Sequence, residues 1–295
     1  MRVGATTSIW GMTGLSAPDP SAPADDRLTT GLRAWLAWHA QMGAADFELD
    51  GWGDVRPAPS AVAAAKAMPQ PPAPAARPPT PQLLRGDRGA VGDARRLAAA
   101  CRTLDELRQA LETFDGCALK QTATRLCFGD GAADARIMLI GEAPGSEEDR
   151  EGRPFVGPSG QLLDRMLATI GLDRGLVWIT NVIFWRPPGN RTPTTAEIAV
   201  CQPFLERQIE ILAPSVIVLA GGAAARALLA RGEGVSQLRG RRYAYEGPNL
   251  PAPIPTLVMF HPANLLRQPL NKRFAWRDLL TLNAWLAESG SRQAH

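Results

Sequence analysis

Four short apolar runs punctuate the second half of the chain, and each ends in a turn. "ARIMLI" (Ala135 to Ile140) runs into Gly141, and "LVWITNV" (Leu176 to Val182) leads to a Pro-Pro-Gly turn. "SVIVLA" (Ser215 to Ala220) runs into Gly221-Gly222, and "TLVMF" (Thr256 to Phe260) into His261-Pro262. Apolar, β-branched runs of this length predict strands buried on both faces. Helical spacing fills the intervals at Ser159 to Ile170, Thr194 to Leu212, Ala223 to Ala230 and Asn271 to Leu286. This alternation predicts an α/β fold: three α/β/α layers around a central, mainly parallel four-stranded sheet.

Upstream the pattern changes. Residues 54–99 read as an Ala/Pro-rich linker, densest in "AMPQPPAPAARPPTP", whose prolines forbid a helix and whose alanines cannot make a core. Residues 1–53 form an N-terminal segment in which Leu32, Trp35, Leu36 and His39 predict one amphipathic helix. That helix reads either as docked on the main domain or as a peptide for an unknown partner. The folded domain is expected over 100–288, with a tail at 289–295.

The chain has 295 residues, 45% of them apolar, enough for one α/β core with sequence to spare. Net charge is only +3, but its distribution is uneven. From Arg226 to Arg277 nine bases face two acids, whereas from Cys101 to Ala225 twelve bases face sixteen acids. One end of the chain is therefore a candidate basic surface for nucleic acid. Four cysteines without a CxxC pair, and no apolar leader, point to a reducing cytoplasmic setting. No apolar run approaches the roughly 18 residues of a membrane helix. The chain lacks a P-loop, a GxGxxG fingerprint and a GxSxG elbow, which argues against nucleotide-cofactor and serine-hydrolase chemistry.

In an open parallel sheet, ligands bind beyond the carboxyl ends of the strands. The four exits carry Gly141-Glu142, Asn181, Gly221-Gly222 and His261, so a carboxylate, an amide, a backbone turn and an imidazole should meet. The first exit opens "GEAPGSEEDREGRPFVGPSG", whose five acids would repel phosphate. A neutral or cationic ligand suits it better. Glu147 to Asp149 also fit an ordinary solvated run.

Three stretches make the sequence recognisable: "GEAPGSEEDREGRPFVGPSGQLLDRML", "ITNVIFWRPPGNRTPT" and "FHPANLLR". In this order and spacing, over roughly Leu104 to Leu282, they resemble the family-4 uracil-DNA glycosylases of bacteria. The resemblance implies a monomeric hydrolase of base excision repair that flips uracil from DNA and cleaves its N-glycosidic bond, leaving an abasic site. No lysine lies beside the strand exits, so a monofunctional enzyme is expected. By the same resemblance Phe155 would stack on the base in a pocket edged by Gly141 and Ala143, and Asn181 would pair with it. His261 would stabilise negative charge at O2, Glu142 would position water or balance the cationic sugar, and Glu148 would border C5. The alternatives are a strand-end cap for Asn181 and structural roles for His261 and Phe155.

Phosphates would fall to backbone N–H groups at Ser159, Gly160 and Gly222. They would also meet a basic stripe of Arg239, Arg241, Arg242, Arg267, Lys272, Arg273 and Arg277, which equally fits a solvated face. Leu265, Leu266 and Arg267 would fill the space left by the flipped nucleotide. Family-4 enzymes usually hold an iron-sulfur cluster on four cysteines, and here the matching positions read Phe114, Cys117, Trp185 and Cys201. Two thiolates do not complete such a site, so no cluster and no other metal is expected. A module that binds uracil or abasic DNA without turnover is the rival reading, and a glycosylase of broader deaminated-base specificity is a second.

Overall fold

The computed structural model describes residues 85–291; residues 1–84 and 292–295, and with them the N-terminal helix and most of the linker, lie outside the described residues. Strands β1 (Ile137–Gly141), β2 (Val177–Asn181), β3 (Val216–Ala220) and β5 (Ile254–Met259) are the four apolar runs. Nearly every position along them is buried, as strands covered on both faces require. A fifth strand, β4 (Arg242–Tyr245), pairs antiparallel with β5 and completes the order β2-β1-β3-β5-β4.

Helices cover both faces, giving the three expected layers. On one side α1 (Arg85–Ala100) and α2 (Leu104–Thr113) pack on α5 (Thr195–Leu212). On the other, α4 (Pro158–Ala168) packs against α8 (Pro262–Arg267) and α9 (Lys272–Ser291), and α9 lies along β5. The short helices α3 (Ser146–Glu151), α6 (Gly222–Leu229) and α7 (Val235–Leu238) follow β1 and β3.

Two boundaries differ from expectation. Residues 85–99 are helical and not part of an extended linker, because α1 lays Ala94 and Ala98 into the core although its own sequence is weakly apolar. At the other end α9 continues to Ser291, beyond the expected tail boundary at 289. Neither change moves the central sheet.

The strand order places β1 between β2 and β3, so the chain turns one way after β1 and the other way after β2. This topological switch point opens a crevice at the carboxyl end of β1.

Candidate active site

The two strand ends at the switch point are locked together. Gly141 pairs with Asn181 in parallel register, and beyond it the Val182 N–H donates to the Gly141 carbonyl at 3.0 Å. A Cβ at Gly141 would stand 2.4 Å from Asn181 Oδ1 and 2.7 Å from the Phe155 ring. Only glycine lets amide and ring crowd over one spot. Asn181 is buried, and its Oδ1 has no hydrogen-bond partner among the described residues. Leaving a buried acceptor unpaired costs about 1–3 kcal/mol, a penalty that a ligand donor would remove.

Phe155 comes from the loop joining α3 to α4, with φ +54°, an unusual backbone for an aromatic residue. Its ring lies 5.3 Å from that of His261 at an interplanar angle of 26°. The acidic helix α3 braces this loop. Glu148 Oε1 accepts the Val156 and Gly157 N–H groups at 3.0 Å each, while Oε2 accepts that of Gly145 at 3.0 Å. Asp149 Oδ1 accepts the N–H groups of Thr124 at 2.7 Å and Arg125 at 3.2 Å. Both carboxylates are buried, so the solvated-run alternative fails for them, and Glu148 lines the site chiefly as a strut for the loop.

His261 caps α8, its Nδ1 accepting the Ala263 N–H at 3.1 Å. Burial, with Arg267 nearby, lowers its pKa to about 4 against a weaker opposing pull from Glu148. The imidazole is therefore neutral at physiological pH. With Nδ1 accepting, the proton sits on Nε2 and is free to be donated. Glu142 lines the same crevice, its carboxyl held above the usual range by burial, with Arg226 opposing.

These groups enclose one hollow of about 420 Å³, within the ordinary range for a small-ligand pocket. Its walls include Glu142, Ala143, Glu148, Phe155, Ser159, Asn181, His261 and Arg267, all singled out from sequence. Pro187, Asn190 and Arg191 line it too and were not anticipated. Arg191 is fixed by a two-pronged pair with Glu197 at 2.9 and 2.6 Å, and Glu197 also forms a capping box with Thr194 at the start of α5. The signal for this was "RTPTTAE", a capping sequence downstream of a turn.

Several expected contacts fall elsewhere. Leu265 is fully buried, because α8 points Pro262 and Leu265 inward and leaves Leu266 outward. The Gly160 N–H is already donated to the Gly157 carbonyl at 2.8 Å. A Cβ at Gly160 would overlap the Phe155 carbonyl oxygen at 1.7 Å, so this glycine makes room for Phe155 and does not offer an anion site. Lys272 is buried at the start of α9. Arg239 grips the buried Asp278 through Nε at 3.0 Å and Nη2 at 2.6 Å, and Arg242 pairs with Glu288 at 3.3 Å and stacks on Trp285. Gly222, Leu266, Arg241 and Arg273 lie outside the residues lining the hollow.

The described residues contain no group of three or more His, Cys, Asp or Glu able to hold a metal. Cys117 and Cys201 are hydrogen-bonded neighbours, and that bond, then burial, keeps the Cys201 thiol well above its ordinary range. Cys101 and Cys127 donate instead to the carbonyls of Leu97 at 3.2 Å and Glu148 at 3.0 Å. Phe114 and Trp185 are buried aromatics, Phe114 against Phe204 at 5.2 Å and Trp185 edge-on to Phe184 at 6.5 Å. This donor set does not fit a four-thiolate cluster.

Comparison with known proteins gives a consistent match. The family model described as "Uracil DNA glycosylase superfamily" covers residues 128–280. The chain is 38% identical over 180 residues to the type-4 uracil-DNA glycosylase of Pyrobaculum aerophilum, covering 60% of this chain and 91% of that protein. It is 39% identical over 181 residues to the type-4 enzyme of Sulfurisphaera tokodaii, covering 60% and 81%. With the type-4 enzyme of Thermotoga maritima it shares 42% over 178 residues, covering 59% and 90%.

Proposed function

The chain belongs to the uracil DNA glycosylase superfamily, and from that premise we propose that it is a monofunctional uracil-DNA glycosylase acting on a base flipped into the hollow at the end of β1. The observation that carries this reading is the buried Asn181 Oδ1, without a partner among the described residues, in a cavity shared with Phe155 and His261. Uracil offers an N3–H donor beside an O4 acceptor. An asparagine amide matches both, whereas cytosine presents the reverse pattern.

In the proposed reaction Phe155 stacks on the base while Asn181 Oδ1 accepts N3–H and the amide N–H reaches O4. The bond between C1′ and N1 breaks with its electron pair leaving on uracil. Negative charge collects at O2, where the His261 Nε2–H donates a hydrogen bond, and a neutral donor stabilises the anion without surrendering its proton. The sugar becomes cationic beside Glu142, and water oriented by that carboxylate adds at C1′; the proton it gives up ends on the departing uracil anion, leaving a C1′ hydroxyl and neutral uracil. Among the described residues no lysine lines the cavity, which supports release of an intact abasic site without a Schiff base. Exposed Leu266 and Arg267 are the residues of α8 positioned to occupy the vacated stack.

We propose further that the protein works without the iron-sulfur cluster usual in family-4 enzymes, Phe114 and Trp185 filling its place as core. The appendage at 1–53 and the Ala/Pro stretch after it are proposed to lie outside the reaction.

Alkali-labile cleavage of a uracil-containing oligonucleotide tests the reading. Asn181→Ala and His261→Ala should each slow single-turnover cleavage by about 10²-fold or more with DNA binding retained. Binding without strand breaks by the wild type would favour the module without turnover. Breaks at other deaminated bases would favour the broader enzyme.

A further inference from the structure

Arg174 stands outside the hollow, on the 3-10 turn that precedes β2, yet every nitrogen of its guanidinium is directed to the loop that carries Phe155 or to that loop's supports. Nη2 donates to the Phe155 carbonyl, and Nη1 donates to the Pro154 carbonyl at 3.2 Å. Nη1 also meets Asp130 Oδ2 at 3.0 Å, and Nε meets Asp164 Oδ1 on α4 at 2.7 Å. Asp130 is itself fixed: its N–H and carbonyl bridge to Ile179 of β2 at 2.9 and 2.8 Å, and its carboxylate also takes Arg153 at 2.9 Å. Burial works against ionising Asp130, yet hydrogen bonds from Arg153 and Arg174 hold its carboxyl below the usual range.

The object of this arrangement is one peptide. Phe155 has φ +54°, a conformation that persists only where the surroundings over-determine it. Gly160 permits the Phe155 carbonyl to press onto α4, and Arg174 grips the same oxygen. The planar fork of an arginine holds two neighbouring carbonyls and two carboxylates at once, which the point charge of a lysine cannot do.

We propose that Arg174 is a positioning residue: it clamps the left-handed Phe155 peptide so that the ring stands ready over the base pocket before substrate arrives. This rests on the reading of Phe155 as the stacking ring. The clamp contributes to rate through preorganisation, where a displacement of about 1 Å can cost about a hundredfold.

The test is a double-mutant cycle in the full-length protein. Single-turnover cleavage is measured for wild type, Arg174→Ala, Phe155→Ala and the double variant. Hydrogen exchange of the peptide spanning Arg153 to Gly160 is followed in parallel. Arg174→Ala should slow cleavage by about tenfold to a hundredfold and speed exchange at Val156 and Gly157. It should add less than about twofold on top of Phe155→Ala, because the clamp acts through that ring. Arg174→Lys should recover little of the loss. Additive losses, or unchanged exchange, would overturn the clamp. A wild type that cleaves no uracil would overturn the proposed function instead, and the exchange experiment would still decide whether Arg174 holds the loop.

Discussion

His261 carries its own acid limit. Its folded pKa of about 4 lies below the ordinary value of 6.5, so between those values the unfolded chain binds more protons than the native state. The contribution of this group to stability is therefore present above pH 6.5 and is lost as pH falls through the folded pKa. Protonation also removes the Nδ1 lone pair that accepts the Ala263 N–H. Followed by NMR, the His261 ring should stay neutral through pH 6.5 and titrate near pH 4, whereas cleavage should also lose rate as Glu142, raised above the usual carboxylate range, takes up its proton; a ring midpoint near 6.5 would show that the imidazole titrates as an exposed one. At this scale the sequence was informative where a residue stands at a strand exit, since the sheet alone delivers Asn181 and His261. It was silent on Arg174, whose partners lie 10 to 44 residues away in the chain. It also gave no sign that Glu148 braces the Phe155 loop, because its buried backbone partners exist only once α3 and that loop have closed on each other.

At the scale of elements, Phe114 and Trp185 belong to one patch of core. Phe114 ends α2, Trp185 follows β2, and Cys201 with Phe204 lies on α5, so this patch of core joins helices to the sheet beside the site. If burial of rings has replaced metal ligation, the purified protein should contain no iron and show no broad visible absorption near ~400 nm. Chelators should leave its melting temperature unchanged. Phe114→Ala should then cost about 3 kcal/mol in denaturant unfolding, as expected for emptying a buried aromatic site. Stoichiometric iron would refute the replacement. The elements most legible from sequence were those whose stability is written in local pattern, namely the buried strands and the long helices. By contrast α1 is an Ala- and Arg-rich segment that gains its order by docking on α5, and β4 is a short, half-exposed edge strand. The buried stripe of α1 is made of alanines, Ala94 and Ala98, and β4 is only four residues long, so neither stands out as an apolar pattern.

For the whole molecule, the basic stretch from Arg226 to Arg277 is narrower as a DNA surface than its nine positive charges suggest. Arg239 and Arg242 are committed to Asp278 and Glu288, Arg231 pairs with Glu233 at 3.6 Å, and Lys272 is buried. Arg226 is exposed but lies close enough to act on Glu142. Arg241, Arg267, Arg273 and Arg277 are exposed and take part in no ion pair among the described residues. Each phosphate neutralised on duplex DNA contributes about −0.9 to the slope of log K against log salt, so these four predict a slope near −3.6, whereas all nine would give about −8. Fluorescence anisotropy with the Asn181→Ala protein, titrated on uracil-containing duplex between roughly 50 and 200 mM salt, measures it without cleavage during the titration. A slope steeper than about −6 would mean that cations beyond these four reach the phosphates. Substituting Arg241 or Arg273 should then reduce the slope by about 1 while leaving the cleavage rate at saturating enzyme unchanged, because both lie outside the hollow where the bond breaks.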